Sequence, residues 1–262
     1  MRRLEGRRAI ITGAGSGIGR ASALRFASEG AIVLVVGRTK ASLDETVELV
    51  RAAGGRGESF VADASKEADV AAAVRHCIDT LGGLEIFFAN AGNTDRSVPV
   101  FDQTVDAWEG QFRDNVITAF LAVKHAGKHM VEKGAGSIIL NSSTGSLRAN
   151  GGTLAYAAAK AGVNSLTMGA AAAFAGTGVR VNAVLPGLTE TKLTKSTFDY
   201  ARAKGSEAKL GALTLLKRPG RVEEIAAVAA FLASDDAAYV DGQLIAADGG
   251  ISSTHPYGRF VL

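Results

Sequence analysis

Ile10-Ile11-Thr12-Gly13-Ala14-Gly15-Ser16-Gly17-Ile18-Gly19 decides how the rest of the chain is read. A short apolar run, Ala9–Thr12, enters a turn rich in glycine, and a helical pattern then continues to about Ser28. Glycines in such a turn let the backbone approach a pyrophosphate. The free N–H groups and positive dipole end of the following helix favour its charge. The spacing here is Gly13, three residues, Gly17, one residue, Gly19, and not the commoner Gly-x-Gly-x-x-Gly. Glycine-rich strand–helix joins also serve close packing, so the turn alone allows either reading. Its place as the first junction of a parallel sheet favours the phosphate.

The parallel sheet follows from what comes next. Ala31–Val36, Glu58–Ala62, Leu84–Ala89, Ser137–Asn141, Val179–Leu185 and Gln243–Ala246 read as strands. Helical patterns lie between them at Lys40–Ala53, Lys66–Leu81, about Thr104–Glu132, Thr153–Ala175 and Val222–Ala233. Apolar runs of about five residues alternating with helices imply strands buried on both faces. The expectation is a single α/β domain over residues 1–262, a doubly wound parallel sheet of about seven strands with helices on both faces. The segment Leu188–Arg218 is polar and rich in Lys and Thr, and it shows no strand. It reads as an insertion that covers the active site as a lid.

Composition narrows the function classes. The 262 residues are 47% hydrophobic and 21% charged, with a formal net charge of +3. No basic stripe of the kind nucleic acids require is present. Arg2, Arg3, Arg7 and Arg8 are the densest basic cluster and read as a solvated terminus. No stretch is long and apolar enough to span a bilayer, and no apolar signal region precedes Gly6. A soluble, cytoplasmic protein without membrane or nucleic-acid partners is the expectation. The one cysteine, Cys77, has no metal-ligand spacing around it and reads as a small buried side chain.

Tyr156-Ala-Ala-Ala-Lys160 places a phenol and an ammonium on one helix face, about 6 Å apart at Cβ. A nearby ammonium favours the phenolate, and a tyrosine so tuned can exchange a proton with an alcohol oxygen. Such pairs are also ordinary surface neighbours, so context decides. Asn141-Ser142-Ser143 ends the fifth strand, Asn90-Ala91-Gly92 follows the fourth, and Pro186-Gly187 follows the sixth. Ligands of open parallel sheets bind outside the carboxyl ends of the strands. All these motifs therefore converge on one crevice.

The ordered set resembles the short-chain dehydrogenase/reductase family, from about Gly6 to Gly250. The residues that carry the resemblance are Thr12, Gly13, Gly17 and Gly19; Asp63 after the third strand; Asn90, Ala91 and Gly92; Asn115; Ser143; Tyr156 and Lys160; Pro186, Gly187 and Thr191; and Asp248-Gly249-Gly250. The resemblance implies a Rossmann-type fold and a carbonyl–alcohol oxidoreductase using a nicotinamide cofactor. It implies catalytic Asn115, Ser143, Tyr156 and Lys160. Tyr156 would exchange the proton, Lys160 would lower the Tyr pKa and hold the ribose, Ser143 would position the carbonyl oxygen, and Asn115 would support a relay water. Implied cofactor residues are Thr12, Gly13, Gly15, Ser16, Gly17, Ile18, Gly19, Arg38, Asp63, Ala64, Asn90, Ala91, Gly92, Asn115, Tyr156, Lys160, Pro186, Gly187, Thr189 and Thr191, with no metal. Ala89 and Asp241 depart from the family's usual residues.

Val36-Gly37-Arg38-Thr39 lacks the acid that would bond a ribose 2′-OH, and Arg38 could clamp a 2′-phosphate. NADP is the expected preference, with NAD possible and Arg38 as a solvated loop residue the other reading. Asn93–Arg96, Thr144–Arg148, Asn150 and 188–218 are candidate substrate walls. Arg96 and Arg148 either recognise an acidic group or are rim charges. Leu193, Phe198, Leu210, Leu213 and Leu215 either line an apolar site or pack on the body. The substrate is a small carbonyl or alcohol: 3-oxoacyl esters, sugar alcohols, steroids and aromatic ketones all fit. An epimerase or dehydratase using the cofactor transiently, and a non-catalytic cofactor-binding regulator, are the rival readings. A homotetramer or homodimer is expected, with Ala157, Ala158, Ala161, Ala170 and Ala172 either its packing face or simply good helix formers.

Overall fold

The computed structural model describes residues 2–95, 97–149 and 151–254. The expected sheet is there. Its strands are β1 (Arg8–Thr12), β2 (Ile32–Gly37), β3 (Arg56–Val61), β4 (Ile86–Ala89), β5 (Gly136–Asn141), β6 (Val179–Pro186) and β7 (Leu244–Ala247). They lie in the order β3-β2-β1-β4-β5-β6-β7, and every pairing is parallel.

Successive side chains of a strand point to opposite faces, and here both faces are covered. Ile10, Phe87 and Ile138 pack toward α3 (Glu67–Leu81), α5 (Thr118–Lys133) and α6 (Leu154–Ala173). Their chain neighbours Ile11, Phe88 and Ile139 pack toward α1 (Gly17–Ser28), α2 (Lys40–Ala52) and α8 (Val222–Ala233). This is why the strands read as unbroken apolar runs. Cys77 is buried in the first layer, where desolvation pushes its thiol up to about 12. It is the structural side chain the sequence suggests.

The chain leaves β1 toward β2 and β3, then returns to start β4 on the other side of β1. The switch opens a crevice between the carboxyl ends of β1 and β4.

Three regions differ from expectation. The long helix at Thr104–Glu132 is two helices, α4 (Val105–Phe112) and α5, joined by a π-helical turn, Arg113–Ile117. The 188–218 segment, for which the sequence names no helix or strand, contains α7 (Lys195–Ala203). The N-terminal arginines are not simply solvated. Arg3 grips Glu29 with two hydrogen bonds of 2.6 Å, Arg7 pairs with Asp235 at 2.8 Å, and Arg8 pairs with Glu85 at 2.5 Å. Among the described residues no helix is long and apolar enough to cross a membrane. No cluster of three or more His, Cys, Asp or Glu residues among them could hold a metal.

Candidate active site

The glycine turn is shaped by contact on every side. Gly13 and Gly17 have φ of +66° and +54°, which glycine adopts without strain. A Cβ on Gly19 would stand 2.4 Å from the Gly13 carbonyl oxygen. Asn90 clasps the turn from β4. Its Nδ2 donates to the Thr12 carbonyl at 2.9 Å, while its Oδ1 accepts from Asn141 Nδ2 at 2.9 Å. Ala91 N donates to Thr12 Oγ1 at 3.0 Å. One amide side chain therefore fastens the ends of β1, β4 and β5. From the other side Arg20 donates to the Gly15 carbonyl at 2.7 Å and forks onto Glu45 at 2.8 and 2.6 Å.

The turn forms the floor of a crevice of about 370 Å3. Twelve sequence-expected cofactor residues line it: Thr12, Gly13, Ser16, Gly17, Ile18, Arg38, Asp63, Ala64, Asn90, Ala91, Gly92 and Thr191. Gly15 and Gly19 support it from behind. Asn141, from a strand-end motif expected at this crevice, and Lys192, from the 188–218 wall, also line it; the sequence did not point to Asp114 or Thr118. Asn141 carries a signal, because its Oδ1 is buried without a hydrogen-bond partner. Arg38 is exposed and makes no hydrogen bond or ion pair to a described residue. Asp63 accepts from Ser65 N at 3.0 Å and Ser65 Oγ at 2.8 Å. The backbone hydrogen bond from Ser65 holds its carboxyl below the ordinary value, helped by the Ser65 hydroxyl and the charge of Arg38.

Tyr156, Lys160, Ser143 and Asn115 do converge. Thr153 caps α6 by accepting from Tyr156 N at 3.3 Å, and its hydroxyl donates to Asp95. Ser143 begins a short turn after β5, where its Oγ accepts from Gly145 N at 3.0 Å. Lys160 is buried and donates from Nζ to the Asn141 carbonyl at 2.8 Å, 5.6 Å from the centre of the Tyr156 ring. Asn115 sits in the π turn, donating to the Asn93 and Gln111 carbonyls at 2.9 Å each. A Cβ on Gly92 would lie 2.8 Å from Asn115 Oδ1 and 3.3 Å from Lys160 Nζ. The missing side chain is what lets the two groups face each other.

Burial governs the titration of the pair. Burial pushes Lys160 down to about 8. Burial also raises the Tyr156 phenol above its ordinary value, and the Ser143 hydrogen bond offsets only part of this. The Tyr–Lys spacing predicts the opposite direction. Burial of the phenol itself sets the direction.

Comparison with known proteins agrees with this geometry. A family model described as enoyl-(acyl carrier protein) reductase matches residues 13–252. The uncharacterized oxidoreductase YxbG of Bacillus subtilis (strain 168) is 40% identical over 265 residues, covering 100% of this chain and 97% of its own. The chain belongs to the short-chain dehydrogenase/reductase family. The crystal structure of levodione reductase superposes with a TM-score of 0.92 at 34% identity, covering 97% of this short-chain dehydrogenase/reductase and 100% of that chain. A candidate NAD(P)-dependent gluconate 5-dehydrogenase from Beutenbergia cavernae, solved with NADP at low occupancy, gives 0.88 at 34% identity, with coverage of 96% and 98%.

In this short-chain dehydrogenase/reductase the residues at and after the end of β6 do two jobs. Pro186, Gly187 and Thr189 lie behind the crevice. A Cβ on Gly187 would meet Asp248 Cα at 2.7 Å, and buried Thr189 bridges to Gly220. Thr191 reaches forward, its methyl 3.3 Å from where a Cβ of Gly17 would be. Farther on, Phe198 is buried, whereas Leu193, Leu213 and Leu215 are exposed. Leu215 N donates to the Gly249 carbonyl at 2.8 Å.

Arg148 is not an open substrate cation. Its Nη1 donates to the Ile251 carbonyl at 2.5 Å and to that of Thr254. The turn it grips is built by Asp248, whose carboxylate accepts from Gly250 N and Ser252 N at 2.8 Å each. Arg96 and Asn150 lie outside the described residues. Asp241, the departure near β7, accepts from Val181 N at 2.8 Å and so seats β7 beside β6. The α6 alanines do not share one face, since Ala170 is in the core and Ala161 and Ala172 are exposed.

Proposed function

We propose that this protein is an NAD(P)-dependent oxidoreductase that interconverts a ketone or aldehyde and an alcohol by hydride transfer, with Tyr156 as acid and base. The observation that carries the proposal is the meeting of Tyr156, Ser143, Lys160 and Asn115 beside a crevice floored by a glycine turn. The crevice suits a dinucleotide: the glycine turn floors it at the N-terminal end of α1, and Asn141 on its wall has a buried oxygen without a partner.

The bound nicotinamide would supply or accept the hydride. The chain's own part is placement and proton transfer. Ser143 Oγ donates to the carbonyl oxygen and fixes it against Tyr156. The raised phenol value keeps Tyr156 Oη protonated near neutral pH, ready to protonate that oxygen as the alcohol forms. In the reverse direction Oη must take the alcohol proton, and the Lys160 ammonium nearby favours the anion that precedes it. Asn115, across Gly92 from Lys160, holds the path by which the proton is replaced. Fixing the reacting atoms about 3–3.5 Å apart removes much of the entropic barrier.

NADP is the proposed preference, supported by the free Arg38 guanidinium at the end of β2 and the absence of an acid there. The 188–218 segment is proposed as the substrate cover of a single-domain enzyme. A cytoplasmic homotetramer or homodimer is proposed with it, supported by exposed Phe112 and Phe120 on the helices around the π turn.

The test follows NADPH and NADH consumption against ketones, keto acids, keto sugars and 3-oxoacyl thioesters. Tyr156→Phe should lower the rate about 10²- to 10⁴-fold with nucleotide binding intact. Arg38→Ala should weaken NADPH and spare NADH. Turnover unaffected by Tyr156→Phe would refute the assignment, as would epimerisation without net nucleotide consumption.

A further inference from the structure

Among the described residues two cations line the crevice, and the sequence named only Arg38 as a cofactor residue. Arg38 stands at the end of β2 beside Asp63. Lys192 lines the crevice from the 188–218 segment, next to Thr191, whose methyl lies against Gly17 at the start of α1. Lys192 is exposed. The ion pairs around it are made by other residues: Arg20 with Glu45, Lys195 with Asp199, and Arg202 with Glu190.

Arg20 is the other base beside the glycine turn, but it is spent. Its guanidinium forks onto Glu45 and donates to the Gly15 carbonyl and to Thr46 Oγ1. Glu45 is held below its ordinary value by Arg20 first and by the charge of Lys192 last. Lys192 is thus near α2 and the glycine turn, while the neighbouring carboxylate already has its partner. Lys192 lines the crevice together with Ser16, Gly17 and Ile18 at the N-terminal end of α1, where free N–H groups gather.

We propose that Lys192 Nζ binds the pyrophosphate of the dinucleotide and so draws the start of the 188–218 segment onto the bound cofactor. The inference rests on the dinucleotide reading above. It divides the work between the two cations. Arg38 at the ribose end answers the 2′-phosphate that only NADP carries. Lys192 answers the pyrophosphate that NADP and NAD share. An ammonium on a flexible stem suits this task, being a point charge without the fork geometry of arginine.

The test is equilibrium binding of NADPH, NADH and adenosine 2′-phosphate, followed by nucleotide fluorescence or calorimetry at low and high salt. Lys192→Ala should raise the Kd of NADPH and NADH alike, by about three- to tenfold, and flatten their salt dependence. It should leave adenosine 2′-phosphate, which lacks a pyrophosphate, unchanged. Lys192→Arg should restore both affinities. Arg38→Ala should give the complementary pattern, weakening NADPH and adenosine 2′-phosphate only. Unchanged nucleotide affinity in Lys192→Ala would overturn the proposal, and so would a loss confined to NADPH. A wild-type protein that binds neither nucleotide would overturn the dinucleotide reading and this inference together. Because Lys192 is exposed, the variant's apo melting temperature should match the wild type.

Discussion

The sheet edge beneath the crevice and the 188–218 segment above it are held by opposite means. At the edge, polar groups answer one another across strands: Asn90 holds Thr12 and Asn141, and Lys160 holds the Asn141 carbonyl. In the segment only Thr189, Phe198, Ala201, Gly211 and Thr214 are buried. Leu213, Leu215 and Leu216 are exposed, and the charges pair at the surface. Exposed ion pairs contribute about 0–1 kcal/mol each. The edge is therefore fixed by part-buried hydrogen bonds across strands, and the segment is attached by a few anchors. Geometry that must not drift belongs on strand ends, and a cover that must admit a molecule belongs to the weakly held part.

The contrast can be broken most strongly at Lys160. Its folded value of about 8 lies below the ordinary 10.5, so the unfolded chain holds the proton more tightly. The penalty for burying the ammonium is complete below pH 8. Stability should therefore rise as pH climbs from about 8 to about 10.5. The difference amounts to about 3 kcal/mol. Lys160→Met should remove this rise and, after losing the bond to Asn141, still gain stability at pH 7. Urea unfolding at pH 7, 8.5 and 9.5 measures both. An equal rise in the variant would assign it to another group.

Gly19→Ala tests the rigidity of the edge itself. The new methyl would meet the Gly13 carbonyl and Asn90 Nδ2, at 2.4 and 2.7 Å. Overpacking of this kind costs about 1–3 kcal/mol. Thermal melting should drop accordingly, and an unchanged melting temperature would show that the turn yields.

The smallest effect belongs to the segment. Arg202 joins Glu190 and Glu207 at 2.6 and 3.0 Å, yet it is exposed. Arg202→Ala should cost less than about 1 kcal/mol globally, with hydrogen exchange faster across 195–209. A loss above about 2 kcal/mol would mean that the segment is bound to the body as firmly as the sheet edge.

Much of the edge was legible because its signals are local. Five-residue apolar runs, the glycine turn and the Tyr156–Lys160 spacing each fit within one element or one junction. The π turn was not legible, since Gln111–Asn115 continues a helical pattern without a break and the extra residue per turn depends on packing against α6. Helix α7 escaped because its buried face is only Phe198 and Ala201, three positions apart in a polar stretch. Arg148 gave no hint of its partners, which lie 103 and 106 positions away. The direction of the Tyr156 shift depends on burial depth, and spacing carries no measure of depth. Lys192 escaped because the reading of 188–218 as a cover does not say which of its residues reaches the glycine turn.

The side-by-side placement of β1 and β4 also bears on how long the protein lasts. Thr12 and Asn90, bonded across the switch, are 78 positions apart in the chain. A molecule seated across both strand ends is a removable tether on that long loop. It binds only when the two halves of the sheet have met, so its free energy adds to that of folding. A ligand at a hundred times its dissociation constant contributes about 2.7 kcal/mol in this way. The supply of whatever fills the crevice would then govern resistance to heat and proteolysis as well as turnover.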